Sequence, residues 1–79
     1  MRIDKYLKVS RLIKRRTVAA EACDAGRVKV NGNVVKPSAK VGIGDVIEIA
    51  FGDRLVRVKV LDLKDTTKKD EAAELYELL

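Results

Sequence analysis

The chain contains no histidine and no tryptophan, one cysteine, one proline, two tyrosines and one phenylalanine. Without histidine, neither a Ser-His-Asp nor a Cys-His nucleophile can be assembled. A structural zinc site takes four ligands, usually Cys and His, which Cys23 alone does not supply. A lone cysteine also excludes an internal disulfide, which suits a reducing compartment. No GxxxxGK[ST] or GxGxxG pattern offers a phosphate-cradling loop. No apolar run approaches the roughly 18 residues that span a bilayer, and the basic N-terminus lacks the apolar stretch of a secretion signal. The expectation is a soluble cytoplasmic protein without cofactor or metal, and not an enzyme.

What the sequence does have is charge. Lysine and arginine number 17 against 12 acids, a net charge of +5, and charged residues make up 37% of the chain, above the quarter typical of globular domains. Apolar residues at 47% suffice for folding, and 79 residues allow one core. The charge is unevenly spread. Residues 1–40 hold 11 basic and 3 acidic side chains, whereas 41–79 hold 6 and 9. Within the first part, Arg2, Lys5, Lys8, Arg11, Lys14, Arg15 and Arg16 face a single acid, Asp4. A solvated tail would not interleave Ile3, Tyr6, Leu7, Leu12 and Ile13 with those charges. The segment is therefore expected to pack on a core and present a polyanion-binding surface. A membrane-surface helix is the rival reading, but the rest of the chain already supplies an interior partner for the apolar face.

Ile3, Tyr6 and Leu7 form one stripe of a short helix, with Asp4 near its positive end. Thr17 is a plausible N-cap for a segment carrying Ala19, Ala22 and Cys23 on one face, which Gly26 closes. The period then changes to two. Val28 and Val30 alternate with Lys29 before Asn31-Gly32, a strong hairpin signal, and a return strand from Val34 that Pro37 ends. Ile47, Ile49 and Phe51 are expected to face the core, followed by a Gly52-Asp53 turn and the alternating Val56, Val58 and Val60. Thr67 is positioned to cap a terminal helix with the stripe Ala72, Leu75, Tyr76 and Leu79. The class is α+β: helices, a small antiparallel sheet, then one C-terminal helix.

Among the cations, Arg11, Arg15 and Arg16 are the first candidates for contact, because guanidinium forks grip phosphate and stack on exposed bases. The competing reading pairs one of them with Asp4 in a structural role. Arg2 lies so near the terminus that mobility is an alternative. Lys5, Lys8, Lys14, Arg27 and Lys29 complete the candidate set. Tyr6 is read as core before base-stacking platform, and Cys23 as a small core residue.

This order of elements, with Arg2 to Leu7, Ser10-Arg11, Arg15 to Thr17, Gly26 to Gly32, Lys36 to Ser38 and Gly44 to Ile47, resembles the RNA-binding domain named after ribosomal small-subunit protein four, the S-four domain. The pattern covers roughly residues 1–50. Through Leu7–Thr17 and Leu63–Lys69 the whole chain is similar to the small stand-alone bacterial S-four proteins of ribosome-associated quality control, the RqcP type. The related heat-shock branch carries a longer basic C-terminal extension, whereas this chain turns acidic. The resemblance implies an S-four fold over 1–61 with 62–79 as a C-terminal helical extension of the same domain. It also implies a monomer that binds 23S rRNA and peptidyl-tRNA on obstructed large ribosomal subunits and assists an alanine-tailing factor of the RqcH type. Two alternatives stay open: a general rRNA or tRNA binder in ribosome assembly, and a protein–protein adaptor acting through the terminal helix.

Overall fold

The computed structural model describes residues 1–65 and 68–79. Helix α1 (Ile3–Val9) has Asp4 in its first turn and Lys8 in its last, each complementing the helix dipole. Ile3, Tyr6 and Leu7 are fully buried, so the stripe lies where the spacing puts it. Helix α2 (Arg16–Asp24) starts earlier than expected. Arg15, with extended backbone, takes the N-cap position without a side-chain bond, and Thr17 falls inside the first turn. Ala19 and Cys23 are its buried residues, small enough to let α2 lie close against α1.

Both helices end in a left-handed residue. After α2 that residue is Gly26, at φ +75°, whose N–H bonds to the Cys23 carbonyl while Arg27 N–H reaches Ala22. This is the Schellman arrangement, in which glycine carries no Cβ penalty. After α1 the equivalent position is Arg11, at φ +61°, with its N–H on the Lys8 carbonyl.

The sheet comprises β1 (Val28–Val30), β2 (Asn33–Val34), β3 (Val46–Phe51), β4 (Arg54–Val60) and β5 (Tyr76–Leu78). Its order is β2-β1-β3-β4-β5, with every neighbouring pair antiparallel. The Asn31-Gly32 hairpin forms as expected, both residues at positive φ. Asn31 does more than turn the chain, since its Nδ2 donates to Asp45 Oδ1 at 3.1 Å and its Oδ1 accepts from Val46 N–H at 3.0 Å. Val28, Ile47, Ile49, Val58 and Val60 are buried in the same core as α1 and α2. Strand pleating puts Lys29, Glu48, Arg57 and Lys59 on the opposite face, where Glu48 and Arg57 pair at 3.3 Å. Phe51 departs from its expected place in the core. At the hairpin end of β3, opposite Arg54, it is 41% exposed.

The C-terminal helix does not form. Residues 72–75 make a short 3-10 turn and β5 follows, while the cap position assigned to Thr67 lies outside the described residues. The stripe is not one helical face, because its two halves serve different elements. Ala72 and Leu75 are buried by the turn, whereas Tyr76–Leu78 pairs with β4 through Val60, Lys59 and Val58. A helix this short is marginal in water, and the edge of β4 offers inter-strand bonds in its place. The Leu75 carbonyl then becomes a junction, accepting from the Tyr6 hydroxyl at 2.6 Å, Leu61 N–H at 2.8 Å and Asp62 N–H at 3.3 Å. The acidic terminal segment is thus fastened to α1 through the core.

Ile49→Ala is expected to cost about 2–5 kcal/mol and Glu48→Ala under about 1 kcal/mol in urea unfolding. Equal losses would contradict this register. Burial, with the charges of Asp4 and Asp24, pushes the Cys23 thiol from 9.0 up to about 11. The unfolded chain therefore releases this proton first as pH rises, and native stability contributed by the thiol is lost between about pH 9 and 11. Cys23→Ala should flatten the alkaline decline in melting temperature. Tyr6, raised mainly by burial, steepens the decline further up the scale.

Candidate nucleic-acid interface

The acid in the N-terminal charge run is the organising residue. Asp4 is 4% exposed, yet it sits among groups that satisfy it. Its Oδ1 accepts from Lys5 N–H at 2.8 Å and from Arg16 at 3.4 Å, and its Oδ2 accepts from Arg2 at 3.1 Å. Two guanidiniums far apart in sequence thereby converge on one carboxylate, with their side chains still about half exposed. Arg16 takes the structural pairing with Asp4, Arg2 joins it there, and both guanidiniums keep part of their surface exposed. Arg2 is not mobile. It bridges Lys40, and the flanking backbone is fixed by Ile3 N–H to Ala39 and Val41 N–H to Met1. Lys40, which the sequence reading counted only as charge, stands beside Arg2 for that reason.

The last turn of α1 and the loop joining it to α2 carry the remaining cations of the run. Lys8, Arg11, Lys14 and Arg15 are exposed, and among the described residues none has an ion-pair partner. Ile13, buried at 6% exposure, pins the loop to the core, and its N–H bonds to the Leu7 carbonyl. Ser10, also buried, donates its hydroxyl proton to the same carbonyl. The cations are thus held on a surface whose apolar side is fixed. Arg11 is the strained member. A left-handed backbone costs a non-glycine residue about 1 kcal/mol or more, and the same motif after α2 uses glycine.

The other candidates lie apart. Lys5 is half-buried and pairs with Asp65 at 3.3 Å. Arg27 lies past the far end of α2, its backbone bonded to Ala22 and Ala50. Lys29 is on the sheet face turned away from the helices, in register with Glu48. The structure therefore brings Arg2 and Arg16 together on Asp4, with Lys8, Arg11, Lys14 and Arg15 exposed along the segment from the last turn of α1 to the start of α2. Lys29 is not brought to it. Tyr6 is fully buried, with its hydroxyl on Leu75, and is core. Among the described residues no group of acids and Cys could hold a metal ion, and no helix is long and apolar enough to cross a membrane.

Two substitutions separate anchoring from presentation. Asp4→Asn should destabilise the fold by about 1–3 kcal/mol, because Arg2 and Arg16 lose their common counter-charge. Arg16→Ala should cost less, since Arg2 and Lys5 N–H still satisfy Asp4. Arg11→Gly should instead raise stability by about 0.5–1 kcal/mol, by relieving the left-handed strain. Chemical denaturation of the three variants reads all of this, and a destabilised Arg11→Gly would mean that its side chain supports the fold.

Comparison with known proteins agrees with this architecture. The S4 domain family matches residues 1–47. Across 79 residues, all of this chain, it is 58% identical to the RQC P-site tRNA stabilizing factor of Streptococcus pneumoniae, of which it covers 90%. The protein of that name from Bacillus subtilis is also 58% identical, over 92% of its length. Among solved structures, Vibrio cholerae heat shock protein 15, described as trimeric, superposes with a TM-score of 0.93 at 31% identity, covering 100% of this chain and 81% of that one. The solution structure of the hypothetical protein HP1423 gives 0.81 at 33% identity, covering 100% and 96% respectively. The chain belongs to the S4-domain family, alongside the bacterial RQC P-site tRNA stabilizing factors and the heat shock protein 15 homologues.

Proposed function

We propose that the protein is a non-catalytic RNA-binding factor of ribosome-associated quality control, acting in the cytoplasm to stabilise P-site tRNA on obstructed large ribosomal subunits. The observation that carries this reading is the surface around Asp4: paired, half-exposed arginines beside a loop of exposed cations, in a chain similar over its full length to factors of that name. Arg2, Lys8, Arg11, Lys14, Arg15 and Arg16 form the proposed RNA surface, with Lys40 at its margin. Lys5 reinforces it by holding Asp65, and Arg27 stands apart from it, past the far end of α2. The ligand on this reading is structured RNA, 23S rRNA together with peptidyl-tRNA, because guanidinium groups fixed at a helix junction suit folded phosphate backbones. The protein acts as a monomer and assists an alanine-tailing factor of the RqcH type by holding the tRNA in place. Residues 1–61 constitute the RNA-binding domain, which residues 62–79 complete.

General rRNA binding during ribosome assembly would use the same surface, and the two readings differ in the particle selected. The adaptor reading loses its terminal helix, since the residues proposed for it form a 3-10 turn and an edge strand.

The test is co-sedimentation with large subunits prepared with and without peptidyl-tRNA. Preferential binding to the loaded particle is expected, declining steeply with salt as phosphate contacts require. Arg15→Ala should weaken it about 5- to 150-fold, corresponding to about 1–3 kcal/mol for one lost contact. Arg11→Gly should weaken it comparably while unfolding at higher temperature. Equal binding to loaded and empty subunits would favour the assembly reading, and binding insensitive to salt would exclude the phosphate surface.

A further inference from the structure

A cleft of about 460 Å³ lies between α2 and the end of β3. Its apolar lining includes Ile13, Ala22 and Ile49, with Val18 and Phe51 at the surface, 45% and 41% exposed. Two side chains on its walls, Arg27 and Glu21, carry polar atoms, one a donor and the other an acceptor. Arg27 is held in position by its backbone, through Ala22 and Ala50, and its guanidinium has no ion-pair partner among the described residues. Neither tyrosine competes with Phe51 as a surface ring, because Tyr6 is fully buried and Tyr76 is half-buried under the C-terminal turn.

We infer that this cleft takes one unstacked nucleobase of the bound RNA, stacked on Phe51 with its phosphate on Arg27. The inference rests on the RNA-binding reading above and extends it to a site outside the Asp4 surface. Three features select a nucleotide as the occupant. The cleft is continuous with the cationic loop, since Ile13 lines it and Lys14 and Arg15 follow directly in the chain. Arg54, exposed, stands opposite Phe51 in the β3–β4 register, so a second arginine flanks the ring and, with Arg27, matches the charge of Glu21 and the turn residue Asp53. The lining is an apolar floor with one donor side chain and one acceptor, the pattern by which single-stranded bases are held through an aromatic face and a polar edge. Glu21 accepts from an exocyclic amino group, which favours adenine, cytosine or guanine over uracil.

The sequence contains no tryptophan, so Phe51→Trp installs a sole indole reporter at the stacking position. Single-stranded oligocytidylate and an abasic oligomer of equal length are titrated into this variant, into the unmodified protein and into Phe51→Leu, with melting temperatures verifying that all are folded. Oligocytidylate is expected to quench the indole and the abasic strand is not. Phe51→Leu, which keeps apolar bulk without a π face, should bind oligocytidylate about 5- to 100-fold more weakly while its affinity for the abasic strand is unchanged. Oligouridylate should bind more weakly than oligocytidylate, with the difference abolished in Glu21→Ala. Absence of quenching, or equal oligocytidylate affinity for Phe51→Leu and the unmodified protein, overturns the nucleobase site. If salt-sensitive binding to loaded large subunits persists in that case, the RNA-binding reading stands and the cleft alone is refuted. Loss of the tailing factor from Phe51→Leu complexes, with oligocytidylate affinity intact, would likewise overturn the inference and make the cleft a protein contact.

Discussion

The buried carboxylate of Asp4 is the interaction on which the functional surface depends. A charge removed from water is tolerable only when paired and hydrogen-bonded, and Asp4 satisfies this with Arg2, Arg16 and the Lys5 N–H. Those partners come from the segment before α1, the first turn of α1 and the start of α2. One carboxylate therefore fixes the mutual position of three pieces of backbone, and in doing so draws together two arginines that would otherwise repel. Arginine suits the position better than lysine, because its fork can give one edge to the acid and leave the other to a ligand. The surface is consequently prearranged, and less ordering remains to be done when RNA arrives.

The paired face and the free loop have different physical characters. Arg2 and Arg16 gain stability from Asp4, so their contribution to folding and their contribution to binding are entangled. Lys8, Arg11, Lys14 and Arg15 have no such return in the free protein, and their mutual repulsion opposes it. Arg11 adds backbone strain, in a position that the same chain fills with Gly26 after α2. Surfaces of this kind are relieved when phosphate supplies the missing counter-charge.

Much of the fold was legible because local signals and packing agreed. The Ile3-Tyr6-Leu7 stripe, the Gly26 stop, the Asn31-Gly32 hairpin and the alternating valines each point to the element that forms. The misreadings share one cause, which is that a periodic pattern does not state what lies next to it. Ala72, Leu75, Tyr76 and Leu79 satisfy helical spacing, but a bare β4 edge was available and Tyr76–Leu78 paired with it. Phe51 continues the alternation of Ile47 and Ile49, yet it stands at the end of the strand, past the cover the helices give. Thr17 is a better cap by residue type than Arg15, yet the helix starts before it, at Arg16, whose side chain reaches Asp4. For the site, the charge run announced the cations without showing that Lys29 would be turned to the opposite face or that Lys40 would stand beside Arg2.

The Leu75 carbonyl links these observations to the acidic end of the chain. It receives the Tyr6 hydroxyl from α1 and two backbone donors from the exit of β4, so the terminal strand and the first helix share one buried acceptor. A domain this small buries a modest fraction of its surface, and the added strand with Ala72 and Leu75 extends the core beneath α1. Residues 62–79 carry 3 basic and 6 acidic side chains, which suits them to support rather than to phosphate contact. Their Asp65 holds Lys5 from the solvent side, while Asp4 holds Arg2 and Arg16 from within. The acids of this protein thus act on the proposed RNA surface indirectly. They set where its cations stand and leave the outward edges positive.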